Sequence, residues 1–413
     1  MDFGLQPHTD AGRRFVALAE GHTAELAAVA DENDRNRTFP FESFELLHES
    51  GLLKACVPAE LGGLGVSSVQ DFVAGINRIG RGDGSTALAV NMHVSQVWLL
   101  AWHWSSLRDS GLPHVQALGG YLQQIGEQRL FMSSAVAEAG TDILHPRSTA
   151  VQEGAGWVLN GHKMFGTGSS VARVFQATCR VETPEGPRFA IATVPRTIPG
   201  VTVMDNWEAM GMRGSGSHDV VFKDVRLPGF AVAMLGPWGE WSEAYLAGNI
   251  VITLGLVSAF LGIAEAARDL AVTSVKTQKR GTAARPPAEK PAVRHGIAEI
   301  EIELAAARAM VARTSSIAGE YFSTHHSGAC PMDELHELMK DFQCTKTFVT
   351  RKSAEIVDRC LSVVGGGAYL ARNPLSRLAR DVRAGSFMQP FSPNEAFEYI
   401  GRVTVGMDPK VWD

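Results

Sequence analysis

The residue types that most often carry chemistry are spread thinly along this chain. Five cysteines stand far apart, with no C-x-x-C pair among them, at Cys56, Cys179, Cys330, Cys344 and Cys360. Their spacing predicts neither a disulfide framework nor a zinc site. His93 lies in an apolar, aromatic stretch from Thr86 to Trp104, where a histidine on its own is typical of a core residue. Three consecutive glycines, Gly365–Gly367, permit close backbone approach to a ligand, but alone they are typical of a helix terminus.

Composition excludes several classes of protein. With 413 residues, 45% of them hydrophobic, the chain can form two or three domains and a large core. A net charge of −6 gives no electrostatic reason to expect a nucleic-acid partner. The N-terminus lacks the basic-then-apolar order of a signal peptide, so we expect a cytoplasmic protein. Ala244–Ala264 carries no charged residue but runs directly into a charged segment, which favours a buried helix and no membrane span.

Hydrophobic patterning divides the chain into helical, β and helical parts, predicted as domains at 1–127, 128–236 and 237–413. The middle part contains β-rich runs separated by Gly, Pro and polar turns. Within it, Asn160-Gly161 predicts the turn of a β-hairpin. Arg280–Val293 is rich in Pro, Ala and charged residues and is expected to be a loop between long helices.

Five motifs follow one another in order along these parts. They are VPAELGGLG (Val57–Gly65), EAGTD (Glu138–Asp142), LNGHKMFGTG (Leu159–Gly168), MGMRGSGSHDVVFKDVRLP (Met210–Pro228) and VGGGAYLARNPLSRLARDVR (Val364–Arg383). They resemble, in the same order, the P-x-E-x-G-G-x-G turn, the A-G-S-D loop, the N-G-x-K-x-W-I-T-N hairpin, the G-x-R-G-S strand pair and the R-D-x-R segment of acyl-CoA dehydrogenases. The chain is therefore identified as a member of the acyl-CoA dehydrogenase superfamily.

The resemblance implies an α+β fold of three parts: an N-terminal helical domain, a middle β-barrel domain and a C-terminal four-helix bundle. A flavin is expected between them, and such proteins are usually homotetramers built through the C-terminal bundles. That assembly would also explain a helix at Ala244–Ala264 that is apolar on every face.

The motifs carry the family's flavin contacts onto five positions of this chain. Ser134 and Ala135 fall where the family contacts the flavin ring, and Thr141 falls on the serine of A-G-S-D near the phosphate. Phe165 takes the place of the tryptophan that covers the ring. Thr167 takes the place of the hydroxyl residue near the reactive nitrogen.

The dinucleotide end of the flavin site is altered. By position, Gly365, Gly366 and Gly367 would approach the adenine half of FAD. Arg280 corresponds to the arginine of R-x-x-F-G, which reaches a pyrophosphate in a neighbouring subunit, but here the sequence is KRGTAARPP. FAD is therefore the expected cofactor, with FMN as the alternative.

The family's catalytic base is missing. Acyl-CoA dehydrogenation needs a positioned base to remove a weakly acidic α-proton. Counting from the R-D-x-R segment, the usual glutamate falls on Gln389, and the alternative position in other members falls on Ile252-Thr253. An amide cannot accept this proton. Glu395 is the nearest acid in the tail and a candidate base, although the sequence favours a solvated or helix-capping glutamate at this position.

A second branch of the superfamily needs no such base. Its members are flavin-dependent monooxygenases that take reduced flavin from a separate reductase and insert oxygen through a flavin C4a-hydroperoxide. Phe165–Gly168 and Gly211–Val220 resemble the F-x-S-G and G-x-R-G-T-G-S-x-D-V segments of that branch. His93 lies where these enzymes can place a histidine. The expected substrate pocket is lined by His93, Thr167, Phe387 and Gln389, and it must exclude water.

We therefore predict a flavin-dependent oxidoreductase acting on a small-molecule or acyl-thioester substrate, and favour the monooxygenase. Two alternatives remain. One is an acyl-CoA dehydrogenase with an unusual base, and the other is a flavin-binding or structural subunit without chemistry of its own. The substrate cannot be deduced from these residues.

Overall fold

The computed structural model describes residues 4–127, 130–278 and 285–412. Arg280, expected near a pyrophosphate, lies outside these residues. In residues 4–127 the chain is helical: α1 (Asp10–Asn36), α2 (Phe41–Glu49), α3 (Val69–Gly82), α4 (Gly84–Leu107) and α5 (Pro113–Glu127). Side-chain caps begin three of these helices, and at the start of α3 the Ser68 hydroxyl accepts the N–H of Asp71. The Thr9 hydroxyl accepts the N–H of Gly12 at the start of α1, and the Asp83 carboxylate accepts the N–H of Thr86 at the start of α4.

Residues 130–278 contain an eight-stranded sheet. Its strands are β1 (Met132–Ala135), β2 (Thr149–Glu153), β3 (Gly156–Gly166), β4 (Val174–Thr183), β5 (Gly186–Pro195), β6 (Val201–Val203), β7 (His218–Pro228) and β8 (Val232–Pro237). The strand order is β6-β7-β3-β2-β4-β5-β8, and β1 pairs in parallel with β4. β8 ends at Pro237, one residue beyond the limit predicted for the middle domain.

The predicted hairpin turn at Asn160-Gly161 is wrong, because both residues lie inside β3. The pair marks a β-bulge against β7, where the register shifts between Leu159 and Gly161. Asn160 exchanges hydrogen bonds with Asp224 across the two strands. A Cβ at Gly161 would lie 1.9 Å from the Ser148 hydroxyl, so glycine is needed here for close packing rather than for a turn.

The remaining described residues form a second helical part, with α6 (Glu243–Thr277), α7 (Pro291–Thr324), α8 (Met332–Val364), α9 (Pro374–Asp381) and α10 (Pro393–Thr404). α6 is long and apolar enough to cross a membrane, but 89% of its most apolar window is buried inside the fold. It packs between α3 and α8. The expectation of a buried core helix at Ala244–Ala264 is thus met. α7 begins at Pro291, inside the segment Arg280–Val293 that was expected to be a loop.

A buried network of salt bridges connects the two helical parts. Arg377 on α9 lies 2.7 Å from Asp31 of α1 and 3.4 Å from Asp83 at the start of α4. Asp381 lies 3.4 Å from the same guanidinium and accepts the N–H of Met212 at 2.6 Å. Because buried charges are tolerated only when paired, this network fixes the helical parts and the Met212 loop relative to one another. The R-D-x-R motif therefore contributes to assembly of the fold.

Candidate active site

Strand β1 carries the two predicted ring contacts, Ser134 and Ala135, at an edge. β1 pairs with β4 on one side, and the N–H of Met132 points to the other side, where it donates to Nδ1 of His93 at 3.1 Å. Backbone groups of alternate residues in a strand face the same edge, so the N–H of Ser134 also faces away from β4. The Ala135 methyl group is fully buried. A ligand at this edge therefore meets main-chain groups.

Gln96 on α4 joins this edge, although it was not among the predicted site residues. Its Nε2 donates to the Ser134 hydroxyl at 3.0 Å and to the Met92 carbonyl at 2.6 Å. The side chain is only 7% exposed, and its Oε1 has no partner among the described residues. A buried acceptor without a donor is unfavourable unless a ligand or water supplies one. The only sequence signal was a polar residue within an otherwise apolar stretch.

His93 takes a different place from the one predicted for it. Because Nδ1 accepts the N–H of Met132, Nε2 carries the proton and donates to the Leu53 carbonyl at 3.0 Å. The ring stacks on Phe131, and burial lowers the pKa of His93 to about 4. Both ring nitrogens are engaged by the backbone, so none is free for a substrate. The prediction of a catalytic role is therefore corrected: this neutral histidine positions β1 against α4.

The turn after β3 presents an aromatic ring and a hydroxyl. Phe165 adopts a left-handed backbone conformation (φ 54°), which is uncommon for a bulky residue, and its ring is 57% exposed. Trp207 meets it edge to face, with ring centroids 5.9 Å apart. Ser133 on β1 donates to the Thr167 carbonyl at 2.7 Å, which ties this turn to the strand that carries Ser134. The predicted ring contacts thus lie in connected segments.

Thr167 begins a chain of three buried hydroxyl groups. Its Oγ1 lies 3.0 Å from the Ser217 hydroxyl, which lies 2.6 Å from the Ser215 hydroxyl. Ser215 and Ser217 belong to the G-S-G-S motif, which indicated a branch of the family but did not by itself identify site residues. Such a chain can hold or pass a proton, because each hydroxyl both donates and accepts.

A buried ion pair anchors the loop between β1 and β2. Lys163 of β3 is fully buried and donates to Oε1 of Glu138 at 2.5 Å and to the Thr178 hydroxyl at 2.9 Å. Burial opposes ionisation of Glu138, but Lys163 holds the pKa of that carboxyl below its usual value.

Thr141, the predicted phosphate contact, donates to the His145 carbonyl at 2.6 Å. Its hydroxyl proton is therefore used within the turn.

Gln389 lies in an exposed loop that a buried lysine holds in place. Lys346 of α8 donates through Nζ to the carbonyls of Met388 and Phe391, on either side of Gln389. Burial lowers the pKa of Lys346 to about 7. Phe387, predicted to line the pocket, is 69% exposed on the same loop. The lysine therefore sets the path of the segment that replaces the family's base.

Glu395 caps a helix, which is the interpretation that the sequence favours over a catalytic role. Its Oε2 accepts the N–H of Ser392 at 2.6 Å in a capping box, and its Oε1 accepts the indole N–H of Trp412 at 2.7 Å. These hydrogen bonds, and the charge of Lys346 nearby, keep the pKa of Glu395 below its usual value although burial acts against them. Because both oxygens are occupied, the carboxylate is not available as a base.

The glycine triplet lies at the end of α8. Gly365 adopts a positive φ of 78° and terminates the helix, while Gly366 and Gly367 begin a short 3-10 helix. A Cβ at Gly366 or Gly367 would meet nothing within 4 Å. The helix-terminating role is thus clear, and open space beside the other two glycines is compatible with a ligand.

The residues present fit a flavin. An exposed aromatic ring at Phe165, a hydroxyl at Thr167, a free strand edge at Ser134 and the unpaired Oε1 of Gln96 suit a flat ring with a polar edge. Within the described residues, no group of three or more His, Cys, Asp or Glu side chains could hold a metal ion. The aromatic ring, the hydroxyl group and the polar strand edge together suit an organic redox cofactor.

Comparison with known families agrees with this site. The chain matches the acyl-CoA dehydrogenase N-terminal domain over residues 13–107, the middle domain over 133–225 and the C-terminal domain over 254–392. It belongs to the acyl-CoA dehydrogenase superfamily, in its flavin-dependent monooxygenase branch, and is a flavin-dependent oxidoreductase. The predicted fold class, the flavin and a small-molecule substrate are confirmed.

Individual relatives cover the whole chain. It is 36% identical to an amino sugar nitrososynthase, DnmZ of Streptomyces peucetius, over 98% of this chain and 96% of the relative. The solved KijD3 complex with FMN and dTDP-3-amino-2,3,6-trideoxy-4-keto-3-methyl-D-glucose is 33% identical, with a TM-score of 0.90, and covers 99% of this chain and 98% of its own. A nitrososynthase structure from Micromonospora carbonacea var. africana is 34% identical, with a TM-score of 0.88, over 98% and 100% of the two chains.

Proposed function

We propose that this protein oxidises the amino nitrogen of a nucleotide-linked amino sugar, using reduced flavin and dioxygen. The observation that carries the proposal is the amide of Gln389 in place of the family's base, while both oxygens of the tail carboxylate, Glu395, accept hydrogen bonds from Ser392 and Trp412. Support also comes from relatives of full length that are named as amino sugar nitrososynthases.

A neutral residue at 389 suits an amine substrate for an electrostatic reason. Oxygen transfer to nitrogen requires the lone pair of the free amine. A carboxylate within about 4–6 Å would favour the ammonium form, which has no lone pair. Gln389 can hydrogen-bond the amino group without stabilising that charge. The residue that prevents dehydrogenation thus favours N-oxidation.

Bound reduced flavin would supply the two electrons that activate dioxygen, with one oxygen atom going to nitrogen and the other leaving as water. The chain supplies the surroundings. Phe165 would cover the ring, the Ser134 edge would hydrogen-bond its polar side, and the hydroxyl chain from Thr167 would hold a proton beside the reacting atoms. Aromatic and apolar groups on the Phe387 loop would exclude water.

Three further assignments accompany this function. The cofactor is FMN rather than FAD, by analogy with the KijD3 complex. A separate reductase delivers the reduced flavin, as the resemblance to the monooxygenase branch implies. The protein is a cytoplasmic homotetramer, as the family resemblance implies.

The test couples the purified protein to an NADH-dependent flavin reductase and offers it a thymidine-diphosphate amino sugar. We expect oxygen consumption that depends on the amino sugar and yields its N-oxidised product. The same sugar with a hydroxyl in place of the amine should give no product. Bleaching of oxidised flavin by an acyl-CoA, with no reaction of the amino sugar, would instead establish a dehydrogenase.

A further inference from the structure

A cavity of about 720 Å³ lies on the sheet, beyond the predicted ring contacts. Its walls come from the loop between β1 and β2, from β4 and from the connection after β8. Thr141, Arg147, Arg180 and Trp238 line it. Thr141 follows Ala135 by six residues, so the two Cα atoms are at most about 20 Å apart. The Thr141 wall of the cavity therefore lies within about 20 Å of the end of β1 that carries Ala135.

Two arginines, Arg147 and Arg180, line the cavity, and each guanidinium keeps N–H donors that a ligand can use. The Arg147 guanidinium donates to the Gly140 carbonyl at 2.8 Å and has no carboxylate partner among the described residues. The Arg180 guanidinium lies over the Trp238 ring, 4.8 Å from its centroid, and pairs with Glu182 at 2.6 Å. That carboxylate is on an exposed side chain, so solvent screens the pair.

The other acid in the wall, Asp142, is already satisfied. Its Oδ1 accepts the N–H groups of Leu144 and His145 at 2.8 and 3.1 Å, and its Oδ2 lies 2.7 Å from Nδ1 of His145. Asp142 therefore shapes the loop, and its charge is compensated by groups of the loop itself.

The two arginines are held at fixed positions by the backbone around Ser148. The N–H of Arg147 and the N–H of Ser148 both donate to Glu138, at 2.7 and 3.0 Å. The N–H of Arg180 donates to the Ser148 carbonyl at 2.8 Å. The Trp238 indole N–H donates to the Pro146 carbonyl at 3.3 Å, which fixes the opposite wall. The cavity is thus built by contacts between its walls, independently of any ligand.

We propose that this cavity is a diphosphate subsite in which Arg147 and Arg180 bind phosphate oxygens. Arginine forks match phosphate geometry and bind it with strong, charge-assisted hydrogen bonds. One source of the diphosphate is a nucleotide-linked sugar, and for that source the proposal rests on the proposed function. The other source of phosphate oxygens is the single phosphate of FMN, which the arginines would bind by the same charge-assisted hydrogen bonds.

The test measures binding by calorimetry on the full-length protein, with thymidine diphosphate and FMN as separate ligands. The variants are Arg147→Gln and Arg180→Gln. Arg226→Gln is the matched control, because it removes the same charge from an exposed arginine of the same sheet that pairs with Glu153. Thermal melts of each variant show whether it is folded, and replacement of the exposed Arg147 removes its hydrogen bond to the Gly140 carbonyl without removing a buried side chain.

We expect each cavity variant to weaken thymidine diphosphate binding by about tenfold to a hundredfold, with FMN affinity and the control unchanged. The same weakening seen only with FMN assigns the cavity to the flavin phosphate and overturns the substrate source. Unchanged affinity for both ligands in folded variants overturns the subsite, whereas failure of the wild-type protein to bind thymidine diphosphate counts against the proposed function itself.

Discussion

Replacing Gln389 by glutamate should shift the pH dependence of N-oxidation to higher pH. A carboxylate about 5 Å from an ammonium group interacts with it by about 0.8 kcal/mol in a water-like dielectric and by about 3 kcal/mol near a protein surface. Because the Gln389 side chain is exposed, we take a value of about 1.4 kcal/mol. That raises the pKa of the substrate amine by about one unit. At pH 7 the free amine, and with it the rate, falls about tenfold.

The assay measures the initial rate of product formation from pH 6 to 10 at saturating reduced FMN. The rising limb of the profile for Gln389→Glu should move about one unit to higher pH, with an unchanged rate at its plateau. Gln389→Met, in which the new side chain is neutral and similar in length, should leave the rising limb at the same pH as in the wild-type protein. Affinity for FMN, measured on the same preparations, should not change. Superimposable pH profiles for the glutamate variant and the wild-type protein would refute the electrostatic argument.

Three other substitutions test single contacts. His93 has a pKa of about 4 in the folded protein, so the unfolded state takes up its proton first as pH falls below about 6.5. The free energy of unfolding of the wild-type protein should then fall relative to that of His93→Gln by about 1.4 kcal/mol per pH unit. A difference in the free energy of denaturant unfolding that stays constant between pH 7 and pH 5 would exclude this effect. Lys346 has a folded pKa of about 7, so its burial opposes folding at low pH, and this penalty falls as the pH rises from 7 to 10. The stability of the wild-type protein relative to Lys346→Met should rise over that range in the same unfolding assay, and parallel curves would exclude the depressed pKa of Lys346. Thr167→Val removes the first hydroxyl of the chain and should lower the product formed per dioxygen consumed, whereas normal coupling would remove Thr167 from the mechanism.

The sequence predicts the fold class well because its signals are local or ordered along the chain. The five motifs lie on the elements that the family resemblance implies, and apolar patterning correctly predicts α6 as a buried helix. The Asn160-Gly161 pair shows the limit of such signals. A dipeptide that favours a turn also favours a bulge, and only the partner strand and Ser148 decide between them.

The site is predictable only in part, because hydrogen-bond partners far apart in sequence decide what a side chain can do. His93 would be free for chemistry if Leu53 and Met132 did not occupy both of its nitrogens. Glu395 loses its availability to Ser392 and Trp412 in the same way.

Long-range placement also hides residues that the sequence gives no reason to select. The unpaired oxygen of Gln96 becomes notable only once α4 is packed beside β1. Arg147 and Arg180 are ordinary charged residues until β2 and β4 are paired. Both features depend on the three-dimensional arrangement and leave no motif.

The most direct test of the central claim is the fate of isotopically labelled dioxygen. Purified protein, reduced FMN and a thymidine-diphosphate amino sugar are mixed with labelled dioxygen, and the product is analysed by mass spectrometry. We predict labelled oxygen on the former amino nitrogen, with no label incorporated from labelled water. Recovery of the unmodified amino sugar while all of the dioxygen is reduced to hydrogen peroxide would contradict the account.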